Sequence, residues 1–328
     1  MNTAEGNETD RVYLVTGAMG CIGAWALYHL ARQGKRVVSF DLSEGRQRLD
    51  LLLSRDKQEQ ITFLRGDLTD PQQVLAAVRD QQVTHILHLA ALQVPFCKAN
   101  PLLGAQVNVV GTVNVFEAAR QLGIKHLAYA SSVAVYGPPD VEQAGQVLHE
   151  APLQPATLYG VYKVANEGTA RVYWQDHGIS STALRPYTVY GVGRDQGFTS
   201  GPTKAMLAAA AGQPYHIPFN GPCQYHFASD VALQFIAAAE RPLQGAFAFN
   251  LGGEPVYSTQ VAELIKAECP GAQITCAESG LPFPAGFDGA ALQQALPGVE
   301  ITPLAGGVRQ TIQRFRQLLA AGRIRPTD

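Results

Sequence analysis

A doubly wound α/β fold, with a parallel sheet covered by helices on both faces, is predicted by three observations. Apolar runs of strand length alternate with helix-period stretches through the first half of the chain. Those runs are nearly continuous in apolar residues, as in strands buried on both faces. A turn with three glycines separates the first run from the first helical stretch.

The elements follow in order. Val12-Tyr13-Leu14-Val15 reads as the first strand, and Ile22 to Gln33 carries a helical stripe through Ile22, Trp25, Ala26, His29 and Leu30. Val37 to Phe40 is the second strand and Ile61 to Leu64 the third. Pro71 to Arg79 is a helix, since Asp70 is a good cap and Pro71 fits a first turn. His85 to Leu89 and Leu127 to Ser131 are strands four and five, with long helices over Pro101–Leu122 and Tyr159–His177. The rhythm weakens from Tyr187 to Cys223 and again from Glu254, where Gly and Pro thicken. Between those stretches, Asp230 to Glu240 reads as a helix and Ala246 to Leu251 as a strand returning to the sheet.

Composition narrows the function. A chain of 328 residues exceeds the size at which one core keeps growing, so one large α/β domain or two domains are expected. Charged residues make up 16%, low against about a quarter for typical domains. The net charge of -2 gives no electrostatic reason to expect nucleic acid or an anionic membrane. No stretch approaches the roughly 20 apolar residues of a membrane span. Five scattered cysteines, without a C-x-x-C pair, read as reduced thiols and provide no metal site. His85 and His88, three apart on a strand, face opposite ways and do not pair on a metal. Met1 to Asp10 is polar and acidic, a flexible tail with no secretory signature, and a cytoplasmic address is expected.

The glycine turn is Thr16-Gly17-Ala18-Met19-Gly20-Cys21-Ile22-Gly23. Glycines there let the backbone approach a pyrophosphate, and the following helix N-terminus supplies free N–H groups. A nucleotide-triphosphate loop is excluded, because no Lys-Ser/Thr follows. Asp41 ends the second strand, 18 residues after Gly23. A carboxylate there accepts ribose hydroxyls and repels a 2′-phosphate, which favours NAD over NADP. Arg46 and Arg48 nearby weaken that preference.

Tyr159 and Lys163 lie one helical turn apart on the same face. A free phenol titrates near 10, so a base working near neutral pH needs its anion stabilised by roughly 3–4 kcal/mol. A neighbouring Lys⁺ and an oxidised nicotinamide ring both favour phenolate. Ser132, with Ser131 as competitor, ends the fifth strand, where ligands of such sheets bind; its hydroxyl is the candidate holder of the substrate oxygen.

In chain order, TGAMGCIG at 16–23, Asp41, Gly66-Asp67-Leu68 and His88-Leu89-Ala90-Ala91 are joined by Asn108-Val109-Val110-Gly111-Thr112. Ser131-Ser132, Val135-Tyr136-Gly137, Glu150-Ala151-Pro152, Tyr159 with Lys163, Leu184-Arg185-Pro186 and Val189-Tyr190-Gly191 complete the series. This ordered set resembles the extended short-chain dehydrogenase/reductases, also called the NAD-dependent epimerase/dehydratase family, strongly over residues 11 to 191. The resemblance implies a Rossmann-type domain over 11–186 plus about 225–252, with a substrate-binding region over about 187–224 plus 253–328. It implies that Gly17, Gly20, Cys21, Ile22 and Gly23 cradle the pyrophosphate of NAD and that Asp41 binds the adenosine ribose. Asp67 and Leu68 would flank adenine, Leu89, Ala90 and Ala91 would line the dinucleotide, and Asn108, Lys163 and Pro186 would complete the cofactor site. Ser132, Tyr159 and Lys163 would carry catalysis. A homodimer through the helices near 101–122 and 159–177 is also implied.

Candidate substrate residues are Gln93, Ser132, Thr188 and Arg194. Sugar-nucleotide members of the family often carry Asn three residues after the Arg of the Leu-Arg-Pro strand, where this chain has Thr188. They also tend to carry Arg before a late aromatic-x-His segment, where this chain has Gln224-Tyr225-His226. Loss of such a phosphate contact costs about 1.5–3 kcal/mol unless replaced, with Arg194 or Lys204 as the available replacements. The expected activity is therefore NAD-dependent oxidation of a secondary hydroxyl in a sugar, sugar acid or polyol-like substrate, with Tyr159 as base. The alternatives are a UDP-sugar 4-epimerase with tightly bound NAD and a non-catalytic NAD-binding regulator. Tyr136 and Tyr190 are expected to pack with wetted hydroxyls, and Arg309, Arg314, Arg316, Arg323 and Arg325 to form a solvated helix face.

Overall fold

The structure is a computed structural model that describes residues 11–138 and 146–326. The tail expected over residues 1–10 lies outside the described residues. In chain order the elements are β1 (Val12–Thr16), α1 (Cys21–Arg32), β2 (Arg36–Asp41), α2 (Gln47–Asp50), α3 (Arg55–Gln58) and β3 (Ile61–Arg65). Then come α4 (Pro71–Asp80), β4 (His85–His88), α5 (Val94–Ala99), α6 (Pro101–Ala105), a π-helical turn (Gln106–Val110), α7 (Gly111–Gln121) and β5 (His126–Ala130). They continue with α8 (Leu158–His177), β6 (Ser180–Arg185), β7 (Thr188–Tyr190), α9 (Gly201–Ala210), β8 (Tyr215–Ile217), β9 (Tyr225–Phe227) and α10 (Ala228–Glu240). Last are β10 (Ala246–Asn250), α11 (Ser258–Glu268), β11 (Ile274–Cys276), α12 (Ala290–Ala295) and α13 (Leu304–Ala320).

Seven parallel strands form the main sheet in the order β3-β2-β1-β4-β5-β6-β10. The order reverses between β1 and β4, which opens a crevice beyond their carboxyl ends. Two apolar cores, one on each face, explain why β1 reads as unbroken apolar sequence. Tyr13 and Val15 enter one, Val12 and Leu14 the other. As predicted, Asp70 caps α4, its carboxylate accepting from the N–H groups of Gln72 and Gln73.

Two features depart from the sequence reading. The long helix expected over Pro101–Leu122 is interrupted by the π turn, around the buried Asn108. The chain leaves the main sheet after β6 and returns at β10, as expected, but the stretches read as irregular hold strands of their own, β7 pairing with β9 and β8 with β11 in two small parallel pairs outside the main sheet. No helix among the described residues is long and apolar enough to cross a membrane.

Candidate active site

The crevice at the strand-order reversal holds a cavity of about 390 Å³. At one end is the glycine turn. Gly17 has φ +66, and a Cβ there would lie 2.6 Å from both Cα and N of Ala90, so only glycine lets the turn press on the β4 loop. The α1 helix starts at Gly20 with no side-chain cap, so its first-turn N–H groups have no side-chain acceptor. Gly17, Gly20, Cys21, Ile22 and Gly23 all line the cavity. This is a cradle suited to a pyrophosphate.

Asp41 lines the same cavity, one carboxylate oxygen accepting from Met19 N–H at 2.9 Å and the other from Ser43 N–H at 2.9 Å. Arg48, which the sequence left open as a phosphate ligand, is committed elsewhere. It pairs with Asp195 at 2.8 Å and donates to the Met19 carbonyl at 2.9 Å. Arg46 stacks its guanidinium 3.4 Å from the centroid of the Phe63 ring. Asp67, Leu68, Leu89, Ala90, Ala91 and Pro186 line the cavity as expected. Asn108 does not. Its side chain accepts from Leu92 N–H at 2.7 Å and donates to Leu92 O at 2.9 Å, which fixes the loop beside the cavity from behind.

The far end carries Ser132, Tyr159 and Lys163. Thr157 caps α8 by accepting from Gly160 N–H at 3.1 Å, which sets Tyr159 in the first helical turn. Ser132 accepts from Ala134 N–H at 3.2 Å and lines the cavity with Tyr159, whereas the competing Ser131 donates to Glu167 at 2.6 Å. Burial pushes the Tyr159 hydroxyl up to about 12, with the Ser132 hydroxyl and then the Arg194 guanidinium pulling the other way. The sequence assigned that cationic help to Lys163. Lys163 is instead 2% exposed and donates to the Ala130 carbonyl at 2.5 Å, with its nitrogen 5.6 Å from the centre of the Tyr159 ring. Burial pulls its ammonium down to about 8.

Gln93 and Arg194 line this end, but Thr188 does not. Thr188 is fully buried and donates toward Cys223 Sγ at 3.6 Å. Gln224 is likewise interior, donating to the carbonyls of Gly253 and Phe287 at 2.5 and 2.9 Å, and Lys204 on α9 is not part of the lining. Sequence reasoning did not single out Tyr187, Phe198, Thr199 and Phe283, which also line the chamber. Nor did it single out Glu167, which orders it. A Tyr just after the Leu-Arg-Pro strand was the one available signal.

Other expectations need correction. The hydroxyls of Tyr136 and Tyr190 are not wetted. Tyr136 donates to Asn250 at 2.9 Å and accepts from Arg185 at 2.6 Å, and Tyr190 donates to Leu304 O at 3.5 Å. The arginines of the final helix and the turn after it are mostly exposed, as expected, with Arg314 half-buried, and they also make hydrogen bonds. Arg314 donates to Leu51 O at 2.8 Å, Arg316 to Glu268 O at 2.7 Å and Arg323 to Asp50 O, while Arg309 pairs with Glu268 at 2.8 Å. They tie α13 and the turn after it to the end of α2, to the residue after it and to the end of α11.

A doubly wound sheet with a glycine turn suited to a pyrophosphate, an acid at the end of β2 and a Ser/Tyr/Lys end is the arrangement of a dinucleotide-dependent enzyme. Residues 13–252 match the NAD dependent epimerase/dehydratase family, and the chain belongs to it. A UDP-glucose 4-epimerase of Mycolicibacterium smegmatis is 30% identical over 313 residues, which span 92% of this chain and 98% of that protein. The crystal structure of the Thermus thermophilus UDP-glucose 4-epimerase in complex with NAD superposes with a TM-score of 0.78 at 25% identity, covering 93% of this chain and 99% of that one. A GalE-like L-threonine dehydrogenase from Cupriavidus necator gives a TM-score of 0.78 at 24% identity over 94% of this chain and 99% of that one, a likeness of fold. The protein is an NAD-dependent enzyme of this family, and the cradle, Asp41 and the cavity lining fit that cofactor.

Proposed function

We propose that the protein oxidises a secondary hydroxyl of a sugar, sugar acid or polyol-like substrate, with NAD as acceptor and NADH released. One observation carries this reading. Besides the buried Lys163, Arg194 is the only cation among the described residues lining the chamber around Tyr159. The two positions where sugar-nucleotide members often hold a diphosphate carry Thr188 and Gln224, both buried away from the cavity.

In this mechanism Ser132 holds the carbinol oxygen and Tyr159 takes its proton. With NAD bound, the ring would accept the hydride as the carbinol C–H bond breaks with its electron pair, which would leave a ketone, NADH and one proton. Lys163, anchored on Ala130 O, would hold the cofactor ribose. Bound NAD supplies the electrophilic ring and a positive charge that favours phenolate. The chain over about 187–224 and 253–328 closes the substrate side.

The protein is also proposed to work as a homodimer. Leu158, Val161 and Val172 on α8, with Leu102, Leu103 and Val110 near α6, leave apolar side chains exposed along the two helices that would pair.

Purified protein mixed with NAD and a panel of sugars, sugar acids, polyols and UDP-sugars tests the reaction by NADH absorbance. Stoichiometric NADH from an undecorated substrate is expected. A second reading, a UDP-sugar 4-epimerase that retains NAD, is favoured by the UDP-glucose 4-epimerase relative that matches nearly the whole chain. UDP-sugar interconversion without NADH would establish it.

A further inference from the structure

Resting on the oxidation reading above, we propose that the substrate is a short hydroxy acid of the aldonate type, its carboxylate bound by Arg194 with help from Tyr187.

Arg194 is a cation with donors left over. Its Nη2 donates to Thr199 Oγ1 at 3.2 Å, and its Nε is buried without a partner. The neighbouring carboxylate, Asp195, is taken by Arg48 at 2.8 Å, and no ion pair joins Arg194 to an acid among the described residues. A buried guanidinium donor without an acceptor is costly, so the chamber is short of one anionic acceptor. A carboxylate offers two oxygens to the planar fork and matches its single charge.

Tyr187 supplies an independent observation. It is 8% exposed, lines the chamber, and its hydroxyl is buried with no partner. Phe283 and Phe287 hold its ring edge-on, with centroids 6.1 and 5.5 Å away. Two unpartnered polar groups in one chamber, a guanidinium N–H and a phenol, suit an acid bearing hydroxyls.

The loop geometry aims Arg194 into place. Gly197 has φ +97, and a Cβ there would overlap Gln93 Oε1 and lie 3.1 Å from Arg194 Nη2. Only glycine lets Gln93, at the start of α5, and Arg194, after β7, close over the same spot. Gln93 Oε1 is thereby held near the guanidinium and is available to a substrate hydroxyl. Phe198 and Phe283 supply apolar walls and no second cation, so a diphosphate would leave charge unmatched.

The test titrates short aldonates, D-gluconate among them, and the matching alditols into the protein–NADH complex, read by NADH fluorescence, and then measures NADH formation from NAD. An aldonate is expected to bind about 30-fold more tightly than its alditol. Arg194→Gln should lose about 30-fold of that affinity and Arg194→Lys should restore part of it, with NAD affinity kept within about threefold as proof of folding. Should Arg194→Gln fail to bind NAD, Tyr187→Phe replaces it, with a loss of about fivefold expected. Equal binding and oxidation of alditols, no saturable binding by any aldonate, or unchanged acid affinity in the variants overturns the carboxylate assignment alone. Interconversion of UDP-sugars without net NADH overturns the oxidation reading and this inference with it.

Discussion

Arg185 grips Glu167 in a two-pronged ion pair, Nε and Nη2 donating to the two carboxylate oxygens at 2.8 and 2.6 Å. The two side chains are only 4% and 10% exposed. Ser131 adds a third donor to the same carboxylate, and Arg185 also reaches Tyr136 and the His149 carbonyl. The pair therefore joins the ends of β5 and β6 to α8, the helix that carries Tyr159 and Lys163.

Breaking that pair from one side leaves a buried charge without compensation. Glu167→Gln should cost about 3–5 kcal/mol in stability, by chemical denaturation, and lower turnover by loosening the Ser132–Tyr159 geometry. A double substitution, Glu167→Gln with Arg185→Met, should recover part of the loss because no orphan charge remains. A loss below about 1 kcal/mol in the single variant would show the pair to be mechanically idle.

Lys163 is the opposite case, a buried cation that costs stability for the sake of the site. Its ammonium titrates near 8 in the folded protein, pulled down by burial, against about 10.4 in an unfolded chain. Between those values the unfolded state binds more protons, so stability rises with pH from about 8 to about 10.4 and is lost again as pH falls back through 8. Lys163→Met should therefore be more stable than the parent near pH 7, by up to about 3 kcal/mol, and the gap should narrow as pH approaches 10. Denaturation curves of both proteins across that range decide it; a gap that does not change with pH removes the buried cation as its cause.

The main strands and the cofactor end were legible because each rests on local sequence. Val12 to Val15 is buried on both faces and so reads as unbroken apolar residues, and the Gly17-to-Gly23 turn lies directly between strand and helix. The π turn around Asn108 left no trace, since its flanks keep a helical pattern. Glu167 carried no signal in the sequence, because its partner, Arg185, arrives from β6. Thr188 was named a substrate candidate because it stands where sugar-nucleotide members often carry Asn, yet β7 pairs with β9 and turns that side chain onto Cys223. Ser132 was preferred to Ser131 from the strand-end position alone, and the strand end turns the Ser131 hydroxyl onto Glu167 while Ser132 lines the cavity with Tyr159. The chamber beyond Tyr159 was least legible, because Gln93, Tyr187, Arg194 and Phe283 meet there from distant parts of the chain.

Asp41 should set the choice of cofactor. Its carboxylate already organises the glycine turn through Met19 N–H, and it lines the cavity where the adenosine ribose belongs. Asp41→Ser should lower kcat/KM for NAD by about 30-fold and raise the NADP-to-NAD preference. Because Arg48 is held by Asp195 and Arg46 by Phe63, the gain with NADP itself should stay below about tenfold. Steady-state rates with both cofactors check this, and an Asp41→Ser enzyme that still rejects NADP as strongly as the parent would refute the assignment.

The proposed dimer can be broken at its helices. Val161 is 45% exposed on the outer face of α8, and a charge there would be buried without a partner on association. Val161→Glu should run as a monomer in size-exclusion chromatography with light scattering, while the parent runs as a dimer. A parent protein that is monomeric at micromolar concentration rules the interface out.

Tyr159 should be a poor base until its cofactor is bound. In the protein alone burial holds its hydroxyl near 12, and Lys163, turned to Ala130, does not offset that. An adjacent fixed positive charge favours phenolate, so oxidised NAD should lower the ionisation by at least about one unit, whereas NADH should not. Near-ultraviolet difference titration of the parent against Tyr159→Phe isolates this one phenol. Without cofactor the difference signal should be absent below about pH 11, and with NAD it should emerge below that point. The same Tyr159→Phe substitution should reduce turnover by about 10²–10⁴-fold with NAD affinity little changed, as expected for loss of a positioned base. A phenol that ionises alike in the free and NAD-bound protein would separate Tyr159 from the chemistry and leave Arg194 and Ser132 acting on a group with no catalytic charge.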